Sequence, residues 1–145
     1  MQVRLLKFAD VEREARTWVG EQPENPTAWM TLAAALSSQR RPDEGVRLML
    51  EAGSRISASG QVEHGQNLMW LAGLGGVPTD TRRRLIAAGQ TVADTELAAK
   101  RSSVDLDLLR ARILTTTADH LEPDPARHWR SSPGPMPRLP RRSGE

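Results

Sequence analysis

The sequence predicts an all-helical protein built from tandem antiparallel helix hairpins, followed by a disordered C-terminal tail. Apolar residues recur at helical spacing along most of residues 10–118. A pattern of helices and turns also repeats after 36 residues. Aromatic residues make up only 3% of the 145 residues, so the core must rest on aliphatic side chains and alanine. Such a composition favours packed helices over strands.

Two segments break the helical pattern. Residues 20–26 hold a glycine and two prolines, which predict a turn. Residues 122–145 are polar and rich in proline and arginine, and they can bury little apolar surface. We therefore predict a helical repeat domain over residues 1–121 and a disordered tail over residues 122–145.

The apolar spacing predicts seven helical segments, of which the last six would form three hairpins. Pro42 suits the first turn of a helix, and Asp43 and Glu44 complement the positive end of its dipole. Ser103 is a candidate N-cap for the last helix, on which Val104, Leu108, Leu109 and Ile113 are expected to line one side. The predicted segments are residues 10–19, 27–38, 43–56, 62–74, 79–88, 91–100 and 104–114.

The repeat relates two helix pairs. Residues 42–44 match residues 78–80, residues 48–53 match residues 84–89, and Leu32 falls on Leu68. In each copy a glycine, Gly53 or Gly89, is expected to end the second helix with a positive φ. Because one helix pair cannot cover its own apolar face, neighbouring pairs should stack and share a core.

The best copy of the repeat resembles a tetratricopeptide repeat. That family's pattern has a Trp, a Leu three residues later and a small residue next, and then further apolar and small positions in the second helix. The matching residues here are Trp29, Leu32, Ala33, Leu36, Gly45, Met49 and Ala52. The resemblance covers residues 10–57, weakens over residues 62–90, and implies an α-solenoid whose first helices line a concave groove.

This resemblance implies a function and a set of contact residues. In tetratricopeptide proteins the groove binds a peptide or a partner helix, so we expect a protein–protein interaction scaffold. The residues expected to face the groove are Thr27, Met30, Ala34 and Ser37, with Glu63, Gln66, Trp70 and Gly73 at the 36-residue offset. Trp70 is either an interface anchor or a core residue, whereas Trp29 is expected in the core.

The charge pattern offers an alternative function. The net charge is +2, and residues 122–145 alone carry that excess, so the folded part is neutral. Arg82, Arg83 and Arg84 form the densest basic run there, although consecutive helical residues point in different directions. The run is either a solvated face or, with the basic tail, a site for nucleic acid or another anionic surface.

The tail has two features of its own. The pattern Pro137-x-x-Pro140-x-Arg142 has the form of a polyproline ligand, although a low-complexity tail produces this pattern easily by chance. Trp129 lies between arginines and is either an exposed anchor for a partner or a residue that docks back on the domain.

The residues for most kinds of catalytic site are missing. The chain has no cysteine, and His64, His120 and His128 lack metal-ligand spacing, so we expect solvated or helix-end histidines. The glycines of residues 73–76 are followed by no Lys-Ser/Thr pair, which argues against a phosphate loop. We therefore expect no metal, no cofactor and no enzymatic activity of the chain acting alone.

The sequence also bears on location and context. No window approaches the roughly 18 apolar residues of a membrane span, and the first residues lack the apolar run of a secretory signal. We therefore expect a cytoplasmic protein that does not bind membranes. A further alternative is an accessory region of a larger regulator or enzyme. The oligomeric state stays open at this level.

Overall fold

A computed structural model of the protein describes residues 2–121 of the backbone and the side chains of residues 7–121. This part of the chain contains no strand, and the prediction of an all-helical fold is confirmed there. The predicted tail, with its polyproline pattern, His128 and Trp129, lies outside the described residues. The helices are α1 (Gln2–Glu21), α2 (Pro26–Ser38), α3 (Pro42–Ala52), α4 (Gln61–Ala72), α5 (Thr79–Ala98) and α6 (Val104–His120), with a short 3-10 turn at Ala58–Gly60.

The helices pack mainly against their neighbours in sequence. Helix α2 lies against both α1 and α3, α4 pairs with α5, and α6 packs against both α4 and α5. One apolar core extends from α2 to α6, and Trp29 is buried in it as predicted. A second, smaller core lies under α1 and consists of Ala15, Leu32 and Leu36. No helix within residues 2–121 combines the length and apolarity needed to cross a bilayer.

Local sequence signals explain where several helices begin. The Asn25 side chain accepts a hydrogen bond from the backbone N–H of Thr27 at 3.0 Å, and Pro26 occupies the first turn of α2. Pro42 opens α3, with Asp43 and Glu44 in the first turn, as expected. The predicted cap at Ser103 is confirmed, because its hydroxyl accepts from the Leu106 N–H at 3.1 Å.

Two expectations about glycines are wrong. Helix α5 runs without a break through residue 89, so the predicted segments 79–88 and 91–100 are one helix. A Cβ at Gly89 would lie 2.6 Å from Met69 Cε, so the missing side chain leaves room for the end of the Met69 side chain of α4. Gly53 has a φ of −54° and lies in the right-handed region. The described chain thus has the hairpins α2/α3 and α4/α5, flanked by α1 and α6.

The α2/α3 hairpin depends on a close backbone approach at Gly45. A Cβ at this position would lie 3.1 Å from the carbonyl oxygen of Ala33 and 3.4 Å from its Cα. Both are backbone atoms, which cannot rotate away as the end of a side chain can. Gly45 therefore fixes how near α3 lies to α2.

We expect Gly45→Val to lower the free energy of unfolding by about 2 kcal/mol, because the added methyl groups force the two helices apart. Urea denaturation followed by circular dichroism measures this change. Gly20→Val is the matched control, since no heavy atom lies within 4 Å of a Cβ at this helical glycine. Equal stability of the two variants would contradict the close approach.

Candidate functional site

A groove of about 480 Å³ lies between α1, α2 and α4, and we call it the α2 groove. It contains four of the residues that the repeat pattern predicted to face a partner, namely Thr27, Met30, Ala34 and Glu63. The remaining lining comes from Phe8, Val11, Thr31, Ala35, Ser38 and Asn67. Apolar side chains from two helices therefore share one depression.

The α2 groove has an apolar floor and a polar end. Phe8 and Val11 of α1 are 38% and 40% exposed, so their apolar side chains are accessible to a ligand in the groove. At the polar end, the Thr27 hydroxyl donates a hydrogen bond to Glu63 Oε1 at 3.1 Å. These two residues are 36 positions apart and join α2 of one hairpin to α4 of the other. The groove thus has walls from both hairpins and from α1.

The other predicted contact residues lie elsewhere. Ser37 lines a separate depression with Pro42 and residues 74–78. Gln66 Nε2 donates to the backbone carbonyl of Asp105 at 3.2 Å, which ties α4 to the start of α6. Trp70 is 44% exposed and faces a different groove together with Gly73. The predicted single surface is divided, because α6 packs beside Gln66 and Trp70 of α4, whereas Ser37 of α2 lies next to the loop after α4.

Trp70 belongs to a groove of about 390 Å³ between α4 and α6, which we call the α6 groove. Its walls are Met69, Trp70, Gly73 and Leu74 on the α4 side and Leu108, Ala111, Arg112, Thr115 and Thr116 on α6. The expected common apolar side of α6 is wrong in part. Leu109 and Ile113 are buried, whereas Val104 and Leu108 are exposed on another face. The spacing of Val104, Leu108, Ala111 and Thr115 was the signal for this second face.

The three consecutive arginines of α5 have different surroundings. The buried Arg82 donates from Nε to the Ala72 carbonyl at 2.7 Å and from Nη2 to the Leu74 carbonyl at 3.1 Å. It therefore caps the end of α4 rather than facing an anion. Arg83 is exposed, with Nη1 4.0 Å from an Asp80 carboxylate oxygen. Arg84 lines a depression whose other charged residues are Asp43, Arg47 and Glu51.

His64 is a core residue, although it also lies in the first turn of α4. Only 1% of its surface is exposed, and its Nδ1 has no hydrogen-bond partner among residues 7–121. Burial lowers the pKa of His64 from its ordinary value of 6.5 to about 4. The expectation of a helix-end histidine is met, but that of a solvated one is wrong. Within residues 7–121 no group of three or more acidic or histidine side chains is arranged to hold a metal ion.

An ion-pair cluster that the sequence analysis missed fixes α1 against the start of α3. Arg16 contacts Glu12 at 2.8 Å and Glu44 at 3.0 Å, and Arg41 contacts the same two carboxylates at 2.7 Å. The hydrogen bond from Arg16 lowers the pKa of Glu12, and that from Arg41 lowers the pKa of Glu44. The i,i+4 and i,i+3 spacings within each pair were visible, but the contact between pairs depends on the fold.

No family model, curated protein or solved structure matches this chain. The two grooves, the charges around them and the buried polar groups are therefore the features that bear on the function of this chain.

Proposed function

We propose that the protein is a tetratricopeptide-like interaction scaffold that binds a peptide or a partner helix in the α2 groove. The observation that carries this proposal is the meeting of Thr27, Met30, Ala34 and Glu63 in one groove. The repeat pattern predicts these four residues as groove-facing, and the hydrogen bond from Thr27 to Glu63 joins positions that the pattern treats as equivalent. Stacked hairpins of this kind present extended surfaces to peptides.

The lining of the α2 groove favours an amphipathic ligand. Phe8, Val11 and Met30 offer apolar contact area, and a flexible methionine adapts to differently shaped apolar side chains. Glu63 places a carboxylate at the polar end, which favours a ligand with a basic residue there. A helix with apolar residues at i, i+3 or i+4 and one lysine or arginine at its end meets both conditions.

The test uses peptides selected on the wild-type protein from a displayed library of amphipathic sequences. We expect Ala34→Arg to weaken binding of these peptides at least about tenfold, because a long cationic side chain fills the groove floor. Fluorescence polarisation with labelled peptides measures the dissociation constants.

The matched control for this test is Ala87→Arg, which makes the same change at an exposed position of α5. It should bind the selected peptides as the wild type does, and circular dichroism should show the same helix content for both variants. Selected peptides that bind Ala34→Arg and the wild type equally well would rule out the α2 groove as their site.

The two other hypotheses have less support. Anion binding through residues 82–84 has less support because the Arg82 guanidinium is already bonded to the end of α4. Acidic residues also lie near Arg83 and Arg84. An accessory role in a larger regulator or enzyme is compatible with a scaffold, because such a role also depends on a bound partner. We propose no cofactor and no chemical step for this chain.

A further inference from the structure

Helix α3 has two sets of charged side chains. Glu44, together with Arg41 just before the helix, forms the ion pairs with α1 described above. The second set repeats every four residues with alternating sign, and it passes the end of α3 because the Ile56 N–H donates to the Ala52 carbonyl at 3.1 Å, which continues the helical turn. Its members are all exposed, and we call them the α3 charge row: Asp43, Arg47, Glu51 and Arg55.

The α3 charge row is unpaired within the described part of the chain. Opposite charges four residues apart on a helix can pair with each other. None of the ion pairs described for residues 7–121 involves this row, although Glu44 of the same helix has two arginine partners. These charges are therefore available to another molecule.

A partly apolar strip runs beside the α3 charge row. The buried Val46 and the half-buried Leu50 lie one helical turn apart. With Thr81 and Arg84 of α5 and three members of the row, they line a depression of about 430 Å³. An apolar centre with charges at its edge is the arrangement typical of protein–protein interfaces.

The order of signs in the α3 charge row is complementary to itself when a second copy is turned around. Along the chain the signs are minus, plus, minus, plus, and read backwards they are plus, minus, plus, minus. Two antiparallel copies with residue 49 at the two-fold axis therefore place Asp43 opposite Arg55 of the second copy. In the same register Arg47 lies opposite Glu51 of the second copy, and symmetry repeats both contacts. Rows of residues four apart also pack against each other in the commonest class of helix pair.

We infer that the protein forms a reversible two-fold dimer through the α3 charge row, with a second copy of the same chain as its partner. Leu50 lies next to the axis in this register, so the two Leu50 side chains meet there and remove apolar surface from water. The contact is one helix pair, which is small for a protein interface, so we expect a dissociation constant of about 100 µM. This face is separate from the α2 groove, and the inference does not depend on the proposed function.

The test is a charge swap in the full chain, measured by sedimentation velocity over a range of protein concentrations. We expect Arg47→Glu to weaken dimerisation at least about tenfold, because the two-fold symmetry puts two pairs of like charges into one interface. The double variant Arg47→Glu/Glu51→Arg restores opposite charges at both contacts. Its dissociation constant should return to within about threefold of the wild-type value.

The matched control is Arg110→Glu, which makes the same change of charge at an exposed position of α6. It should dimerise as the wild type does, because a change of net charge alone does not reach the α3 charge row. An equal mixture of Arg47→Glu and Glu51→Arg is an independent check. Each variant alone should remain a monomer at concentrations where the mixture forms a dimer, since opposite charges meet only between the two variants.

Three results would each overturn the inference. A wild-type chain that is still monomeric at about 1 mM would have no such interface. A dimer that Arg47→Glu affects no more than Arg110→Glu would use another face. A double variant as weak as Arg47→Glu would exclude the antiparallel register that pairs Arg47 with Glu51.

Discussion

Replacing Arg82 with alanine should lower the free energy of unfolding by about 3 kcal/mol, although the residue lies in what looks like a surface arginine run. Its guanidinium donates to the carbonyls of Ala72 and Leu74, and the Nε bond is buried. The alanine variant leaves these acceptors at the end of α4 without their charged donor, and it also loses the packing of the arginine stem. Urea denaturation followed by circular dichroism measures the loss.

The neighbouring residue provides the control for Arg82→Ala. Arg83 is exposed, and its one ion pair, among those described for residues 7–121, spans 4.0 Å. Arg83→Ala should therefore change stability by less than about 0.5 kcal/mol. Arg82→Lys should recover only part of the loss, because a single ammonium cannot reproduce the forked geometry of a guanidinium. Similar losses for Arg82→Ala and Arg83→Ala would contradict the cap on α4.

His64 should make the stability of the protein depend on pH between about 6.5 and 4. The pKa of His64 is lowered to about 4 in the folded protein, whereas in the unfolded chain it returns to its ordinary value of 6.5. The contribution is fully present above pH 6.5, where both states are neutral. As the pH falls, the unfolded chain takes up the proton first, and stability decreases by about 1.4 kcal/mol per pH unit down to pH 4.

The measurement compares urea denaturation at pH 7.5 and pH 5. The wild type should lose about 2 kcal/mol from this histidine, while His64→Leu should lose almost none of it. Glu12 and Glu44 have lowered pKa values, so their stabilising effect is lost only as the pH falls below about 4.5. A steep dependence that persists in His64→Leu would assign the titration to another group.

Local sequence signals predicted the features that depend on one helix at a time. Pro42 and Ser103 correctly indicated helix starts, and the position of Trp29 indicated a core residue. A glycine such as Gly89 is typical of a helix end, but α5 continues through this position. The Met69 side chain of α4 occupies the space that a Cβ at residue 89 would fill. The local sequence pattern around Gly89 does not predict this contact with Met69.

In the candidate site, too, the sequence predicted some neighbouring residues but not the contacts between helices that are distant in sequence. The 36-residue spacing paired Thr27 with Glu63, and these two side chains are hydrogen-bonded at 3.1 Å. It could not show that α6 packs beside Trp70, or that the end of α4 receives the Arg82 guanidinium. The two faces of α6 were ambiguous because apolar residues occur on both, and spacing does not tell which one meets the core.

The small core under α1 has a consequence for how the α2 groove opens. This helix contributes Phe8 and Val11 to the groove, yet Ala15, Leu32 and Leu36 form an apolar cluster apart from the main core. Local opening costs least free energy where few apolar contacts are broken. We therefore expect α1 to open locally at a lower free-energy cost than α4 or α5, and the ion pairs of Arg16 and Arg41 with Glu12 and Glu44 are the polar contacts that oppose this opening.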